Sequence, residues 1–357
     1  MRKNVAVLLI LLSFIAILGG DEILASQQKG IHLRKTGDEY KALQYELAGY
    51  QSQCGVLKRR MELSYQNYLQ EDTRTNLKNY KEAELSYEIA SFYINNGEKW
   101  MSDQWRRREG ELKILVSEYK CSMAELGYCR AKLSELKTKA KEMGEKRKKG
   151  LVTTLEYRKQ KLQVQNALAE WRQIRQQCLR RKKEICQKTG KKKIGAFKLS
   201  SRKSVKYYIR KWTEEKTEYE QINNEERAYK KYQTIFHKEI PEERDEYWYI
   251  QNQLNLLLLK KKQYRLERKK KILDLCREYD NCGAGLERKR KEIRLAKRES
   301  GLLQLLKEKG KISVSQFQEH KTGVQKLKYE EAVLQCEKEK KCIQLEYGLQ
   351  QLTDSDE

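Results

Sequence analysis

Nine cysteines, at positions 54, 121, 129, 178, 186, 276, 282, 336 and 342, are the residues of this chain best equipped for chemistry. Disulfide formation, metal binding and nucleophilic attack all draw on thiols. Cys276 and Cys282 stand six residues apart, as do Cys336 and Cys342, while Cys121/Cys129 and Cys178/Cys186 are spaced by eight. On a helix those spacings rise by about 9 and 12 Å, further than the ~4.4–6.8 Å between Cα atoms that a disulfide spans. Such neighbours cannot pair with each other. Across an antiparallel helical hairpin they meet partners in reverse order. Cys276 then faces Cys342 and Cys282 faces Cys336, folded about a point beside Gly310. Cys121 faces Cys186 and Cys129 faces Cys178, folded about a point a few residues past Gly150. These nested pairs are the disulfide candidates. The alternative is unpaired thiols on buried faces, because spacings of six and eight each miss the heptad by one. Cys54 is left over, free or intermolecular.

Other chemistry is sparse. Four thiolates around one zinc need a tighter cluster than these spacings allow, so no metal site is expected. The three histidines, His32, His237 and His320, have no ligand spacing among themselves. No phosphate-binding loop, dinucleotide glycine pattern or nucleophile elbow occurs. The expectation is a protein that is not an enzyme and needs no cofactor.

The elements that would hold the cysteines follow from composition. Of 357 residues, 36% are charged, 38% are hydrophobic and one is proline. Chains of this kind suit long helices and coiled coils, which bury narrow stripes rather than a thick core. Leu112, Leu115, Tyr119, Met123, Leu126, Cys129, Leu133, Leu136, Ala140 and Met143 recur at steps of three and four, the signature of an amphipathic helix. Ile272, Cys276, Tyr279, Gly283, Leu286 and Ile293 do so less cleanly. KKGLVTTLEY (148–157) and EKGKISVSQF (308–317) interrupt the helical composition with a glycine and a β-branched patch. Glycine is a natural left-handed C-cap, and Thr153 or Ser313 is suited to cap the next helix. Each stretch therefore reads as the turn of a helical hairpin.

Placing Gly150 over Gly310 also superposes Val152 on Ile312, Thr153 on Ser313, Tyr157 on Phe317, Lys161 on Lys321 and Val164 on Val324. One shared register implies two copies of one supersecondary unit. The fold class is mainly α, two repeats of long antiparallel hairpins, with short strands as candidates near 83–97 and 247–257. Those two segments alternate through Leu85, Tyr87 and Ile89, and through Trp248, Ile250, Leu254 and Leu256. Helix ends packing aromatics are the other reading of both. The domain plan is a signal peptide over 1–25, a first repeat over 26–190, a link over 191–201 and a second repeat over 202–357.

The signal peptide is read from MRKNVAVLLILLSFIAILGG, where Arg2 and Lys3 precede an apolar run from Val5 to Leu18. About 14 residues of helix span roughly 21 Å, short of the ~30 Å hydrocarbon core. That length fits a signal sequence, with Ala25 at a cleavage site. Export to the cell envelope makes oxidised cysteines plausible and nucleic acid a poor partner. The formal charge of +26 then suits anionic wall polymers or lipid head groups. If Lys and Arg lined an internal passage, it would favour anionic cargo.

The tip segments KKGLVTTLEYRKQKLQVQNALAEW (148–171) and EKGKISVSQFQEHKTGVQKLKYEEA (308–332) resemble the two hairpin-tip motifs of the TolC-type outer-membrane efflux protein family. NNGEKW (95–100) resembles the turn through which that family's chain enters its long helix. The resemblance implies a homotrimer whose long helices close into a TolC-like helical barrel. It also implies tips that dock a periplasmic membrane-fusion adaptor protein, which serves an inner-membrane pump. Carried over by residue, Gly150, Leu151, Val152 and Thr153 form one docking tip, with Glu156 at its acidic position. Gly310, Ile312 and Ser313 form the other, where Gln316 replaces the acid. The function implied is an exported channel component of a tripartite efflux or secretion system, in the outer membrane or on the extracytoplasmic face. The alternative is an exported coiled-coil structural or adaptor protein with no channel of its own. Two departures stand out: Lys and Arg replace the aromatic that family tips carry before the glycine, and each half offers at most one strand candidate.

Overall fold

The computed structural model describes residues 33–34, 37–194, 197, 202–213, 216–239 and 244–348. The expected signal peptide and part of the 191–201 link lie outside the described residues, as do His32 and the side chain of His237. The helices are α1 (Asp38–Gln70), α2 (Arg74–Ala90), α3 (Phe92–Asn95), α4 (Gly97–Lys148), α5 (Thr154–Thr189), α6 (Val205–Thr213), α7 (Thr217–Glu239), α8 (Arg244–Glu308) and α9 (Val314–Tyr347). At 1.5 Å per residue α4 is about 78 Å long and α8 about 97 Å.

α4 and α5 form one hairpin, α8 and α9 the other, and α9 packs along α4. The four long helices thus lie in the order α5, α4, α9, α8. A central helix in such a layer must bury two faces. α4 accordingly encloses Leu112, Val116, Ser117, Ser122, Cys129 and Leu133, a band wider than one stripe. Met123, expected on that stripe, is 44% exposed.

The repeat is visible in the core. Leu112, Val116 and Ile185 cluster in the first hairpin with Leu115 against them. Ile272, Leu275, Cys276 and Leu345 cluster in the second, joined there by Tyr208 and Trp212 of α6. The register that superposes Gly150 on Gly310 carries Leu112 onto Ile272, Leu115 onto Leu275, Val116 onto Cys276 and Ile185 onto Leu345. The same sites in each copy bury apolar side chains, so the duplication extends to packing.

At the ends of the hairpins away from their turns, charge ties the halves together. Glu218 of α7 accepts from Arg107 of α4 at 3.0 Å, and from Arg268 and Tyr264 of α8 at 3.0 and 3.1 Å. Burial pushes the Glu218 carboxyl up, but the guanidiniums of Arg268 and Arg107 outweigh it and hold it below the usual carboxylate range.

Both strand candidates are helix. Residues 83–97 fall in α2, α3 and the start of α4, and 247–257 lie within α8; no strand occurs among the described residues. Ile250, Leu254 and Leu257 are buried while Trp248 and Leu256 are 60% and 57% exposed. Steps of four and three are a helical face, and they overrode the brief alternation. In the first half, Tyr50 of α1 stacks on Tyr93 at 4.2 Å and meets Trp100 edge-on, so the aromatics join short helices.

The disulfide candidates are also corrected: no disulfide forms among the described residues. In the first hairpin Lys132 pairs with Glu170 at 2.9 Å and Ser122 bonds Arg181. The fold point lies between Lys148 and Thr154, earlier than Cys121–Cys186 and Cys129–Cys178 require. The register is off by about five residues, or roughly 7 Å along the axis. In the second hairpin the register is nearer, with Lys289 on Glu330 at 2.9 Å and Lys341 on Glu278 at 2.5 Å. There the register itself would permit pairing, yet no disulfide joins these cysteines.

Candidate functional site

Both hairpin tips are built by the same backbone device. Gly150 has φ +73° and Gly310 φ +69°. This left-handed region is costly for residues with a Cβ. The Leu151 N–H donates to the Lys146 carbonyl at 2.9 Å and the Gly150 N–H to that of Arg147 at 3.0 Å. Lys311 donates to Leu306 at 2.8 Å and Gly310 to Lys307 at 2.9 Å. These paired bonds are Schellman motifs, which satisfy carbonyls that a helix end leaves unpaired. Three residues later a capping box starts the return helix. Glu156 N–H donates to Thr153 Oγ1 at 3.2 Å, and Thr153 N–H donates to Glu156 Oε2 at 2.9 Å. Ser313 and Gln316 repeat it at 3.1 and 2.8 Å. The bonds that Thr153 donates, from backbone and then hydroxyl, hold the Glu156 carboxyl below the usual range.

The eight residues expected at the tips lie within these turns and capping boxes, and the two tips are neighbours. Glu142 of α4 accepts from the Ser315 N–H at 3.0 Å, and Lys139 pairs with Glu319 at 3.2 Å. Glu142 and Lys139 escaped the sequence reading, because nothing local marks a residue that bonds the other repeat. A second shared feature was half visible in the superposed Tyr157/Phe317 and Lys161/Lys321. Arg147 and Lys161 lie 4.7 and 5.0 Å from the Tyr157 ring centre, and Lys307 and Lys321 lie 5.0 and 4.6 Å from that of Phe317. Each tip thus holds its aromatic after the glycine, between two cations, an arrangement stabilised by the ring quadrupole.

The surface offered is basic with apolar points. Lys146, Arg147, Lys148 and Lys149 precede the first turn, and Lys307, Lys309 and Lys311 surround the second. Leu151 is 71% exposed. The outer helices also keep apolar edges. Leu259, Leu266, Leu273, Leu295 and Leu302 of α8 are exposed and fall within roughly 40° of one helical face at 100° per residue. Leu155 and Leu162 are exposed on α5. Among the described residues no helix is long and apolar enough to cross a membrane. His320 is held by Ser300 Oγ at 2.8 Å and the Ala296 carbonyl at 3.0 Å, a packing role within the second hairpin.

Neither a protein-family profile nor a curated protein matches the chain by sequence. Among solved structures it is similar to a membrane protein from Pseudomonas aeruginosa, with a TM-score of 0.54, 11% identity, and 88% of this chain and 90% of that one covered. With most of both chains covered, the likeness extends over most of the architecture described above. At 11% identity the likeness speaks for the fold alone. Two more distant similarities are to CusC, a protein described as forming a transmembrane channel, and to the outer membrane protein VceC from Vibrio cholerae. CusC has a TM-score of 0.44 and 10% identity, with 74% and 72% of the chains covered. VceC has 0.43 and 10%, with 74% of each chain covered. Both scores are too low to carry an argument.

Proposed function

We propose that this chain is one subunit of a hollow helical conduit in the cell envelope, closed as a homotrimer, whose paired tips dock an adaptor protein of an efflux or secretion system. The observation that carries the reading is the pair of equivalent tips held side by side at one end of a four-helix layer whose outer helices keep exposed leucines. A layer with two different edges associates head to tail, and head-to-tail contacts that close give a ring. The leucines of α8 supply apolar surface on one edge, and Leu155 and Leu162 of α5 lie near the tip on the other. Exposed apolar rows of that length mark an interaction face.

The adaptor surface that complements Lys146–Lys149, Lys307, Lys309 and Lys311 is acidic, with an apolar pocket for Leu151. Opposite charge at such a rim sets partner choice and encounter rate more than final affinity. The test is stoichiometry. Native mass spectrometry of the mature protein is expected to give a trimer, and Leu266→Glu with Leu302→Glu is expected to give monomers of unchanged helicity. A wild-type monomer overturns the conduit and leaves an envelope scaffold.

A further inference from the structure

We infer that Cys121 and Cys336 form a disulfide site that staples the first hairpin to the second when the protein meets a disulfide oxidant. The seam between α4 and α9 keeps one antiparallel register along its length. Ser117 Oγ donates to Glu339 Oε2 at 2.5 Å, and Lys340 pairs with Glu118 at 3.0 Å. Further along, Tyr128 stacks on Tyr329 with ring centres 6.1 Å apart, and Lys139 meets Glu319. Cys121 lies one turn beyond Glu118, and Cys336 one turn before Lys340, so this register sets the two thiols opposite each other. The two thiols are near enough for Cys336 to influence the ionisation of Cys121.

The pair is asymmetric in a way that orders the chemistry. Cys336 is 5% exposed, whereas Cys121 is half-buried. Proximity to Cys336 lowers the Cys121 thiol, with Lys340 and Arg181 adding to the effect, while the same proximity and burial raise Cys336. The more accessible, more readily ionised sulfur is the attacking one. Cys121 thiolate attacks an external disulfide, expels one thiolate and forms a mixed disulfide. Cys336 then loses its proton and attacks the Cys121 sulfur, expelling the second thiolate. Two cysteine protons pass to the two released thiols. The protein dithiol is oxidised, and the external disulfide is reduced to two thiols.

The bond would join the repeats at mid-length and leave both hairpin turns unconstrained. It closes a loop running from α4 through α5 and most of the second half to α9, and long loops lose the most unfolded-state entropy.

The test treats the mature full-length protein with oxidised glutathione, blocks remaining thiols and maps peptides without reduction. The expected product is a Cys121–Cys336 link, removed by dithiothreitol and absent in Cys121→Ser. The thermal midpoint of the oxidised wild type should exceed that of equally treated Cys121→Ser by several degrees. A Cys276–Cys342, Cys282–Cys336, Cys121–Cys186 or Cys129–Cys178 link in natively helical protein overturns the inference. So does glutathione retained on Cys121 without an internal bond.

Discussion

The two tips share a backbone and differ in what they place on it. The first closes its capping box with Glu156, exposes Leu151 and keeps Tyr157 only half-buried. The second closes the same box with Gln316, has Lys311 where the first has Leu151, and buries Phe317 to 3% exposure. A charged and an uncharged residue thus serve one capping role, because the box needs an acceptor oxygen three residues after the cap rather than a charge. The turn geometry is the requirement common to both. The aromatic and the acid are what distinguish a surface that faces outward from one that packs inward.

The sharpest way to break this comparison is at the aromatics. Phe317→Ala should cost about 3–5 kcal/mol, as truncation of a buried phenylalanine does, whereas Tyr157→Ala should cost about 1 kcal/mol. Denaturant melts of both variants check it; equal losses would mean that the tips are packed alike. Next come the glycines. Gly150→Ala and Gly310→Ala should each lose roughly 1–2 kcal/mol through the left-handed backbone. At neither position does an added Cβ meet anything within 4 Å, so the loss should be the same at both. Cap removal is smaller. Thr153→Ala and Ser313→Ala should cost about 1 kcal/mol each, with faster hydrogen exchange at the first amides of α5 or α9 only.

The smallest effect separates the tips by pH. Glu156 is depressed in the folded state, so its capping contribution is present above the ordinary carboxylate range and is lost as pH falls through its folded value. Gln316 does not titrate. Amide exchange at the first tip should therefore quicken in acid relative to the second, and Glu156→Gln should abolish the difference. The same exchange profile in the variant and the wild type would remove Glu156 from the cap.

Much of the tip was legible because its causes are local. A left-handed glycine, a hydroxyl cap and an acceptor three residues on span six or seven positions, and the repeat supplied a second copy as a control. The cysteine pairing was not legible. Symmetric numbering about a turn assumes that the fold point is where the cysteines need it, but the Schellman and capping bonds set it at Gly150 to Thr153, ahead of that point. The strand reading of 83–97 and 247–257 failed for another reason. A few alternating residues weigh less than Ile250 and Leu254, which pack on one helical face with Tyr232 and the first repeat's Leu77 and Leu85.

Residue order alone determined that the chain makes long amphipathic helices, turns twice at equivalent glycines and carries one unit in duplicate. Each of those depends on interactions between residues a few positions apart. Only the tertiary structure decided that α4 lies against α9, that Cys121 lies opposite Cys336, and that leucines of α8 remain exposed. Those outcomes depend on a register summed over a whole helix–helix seam, where no short stretch of sequence holds enough of the free energy to choose it.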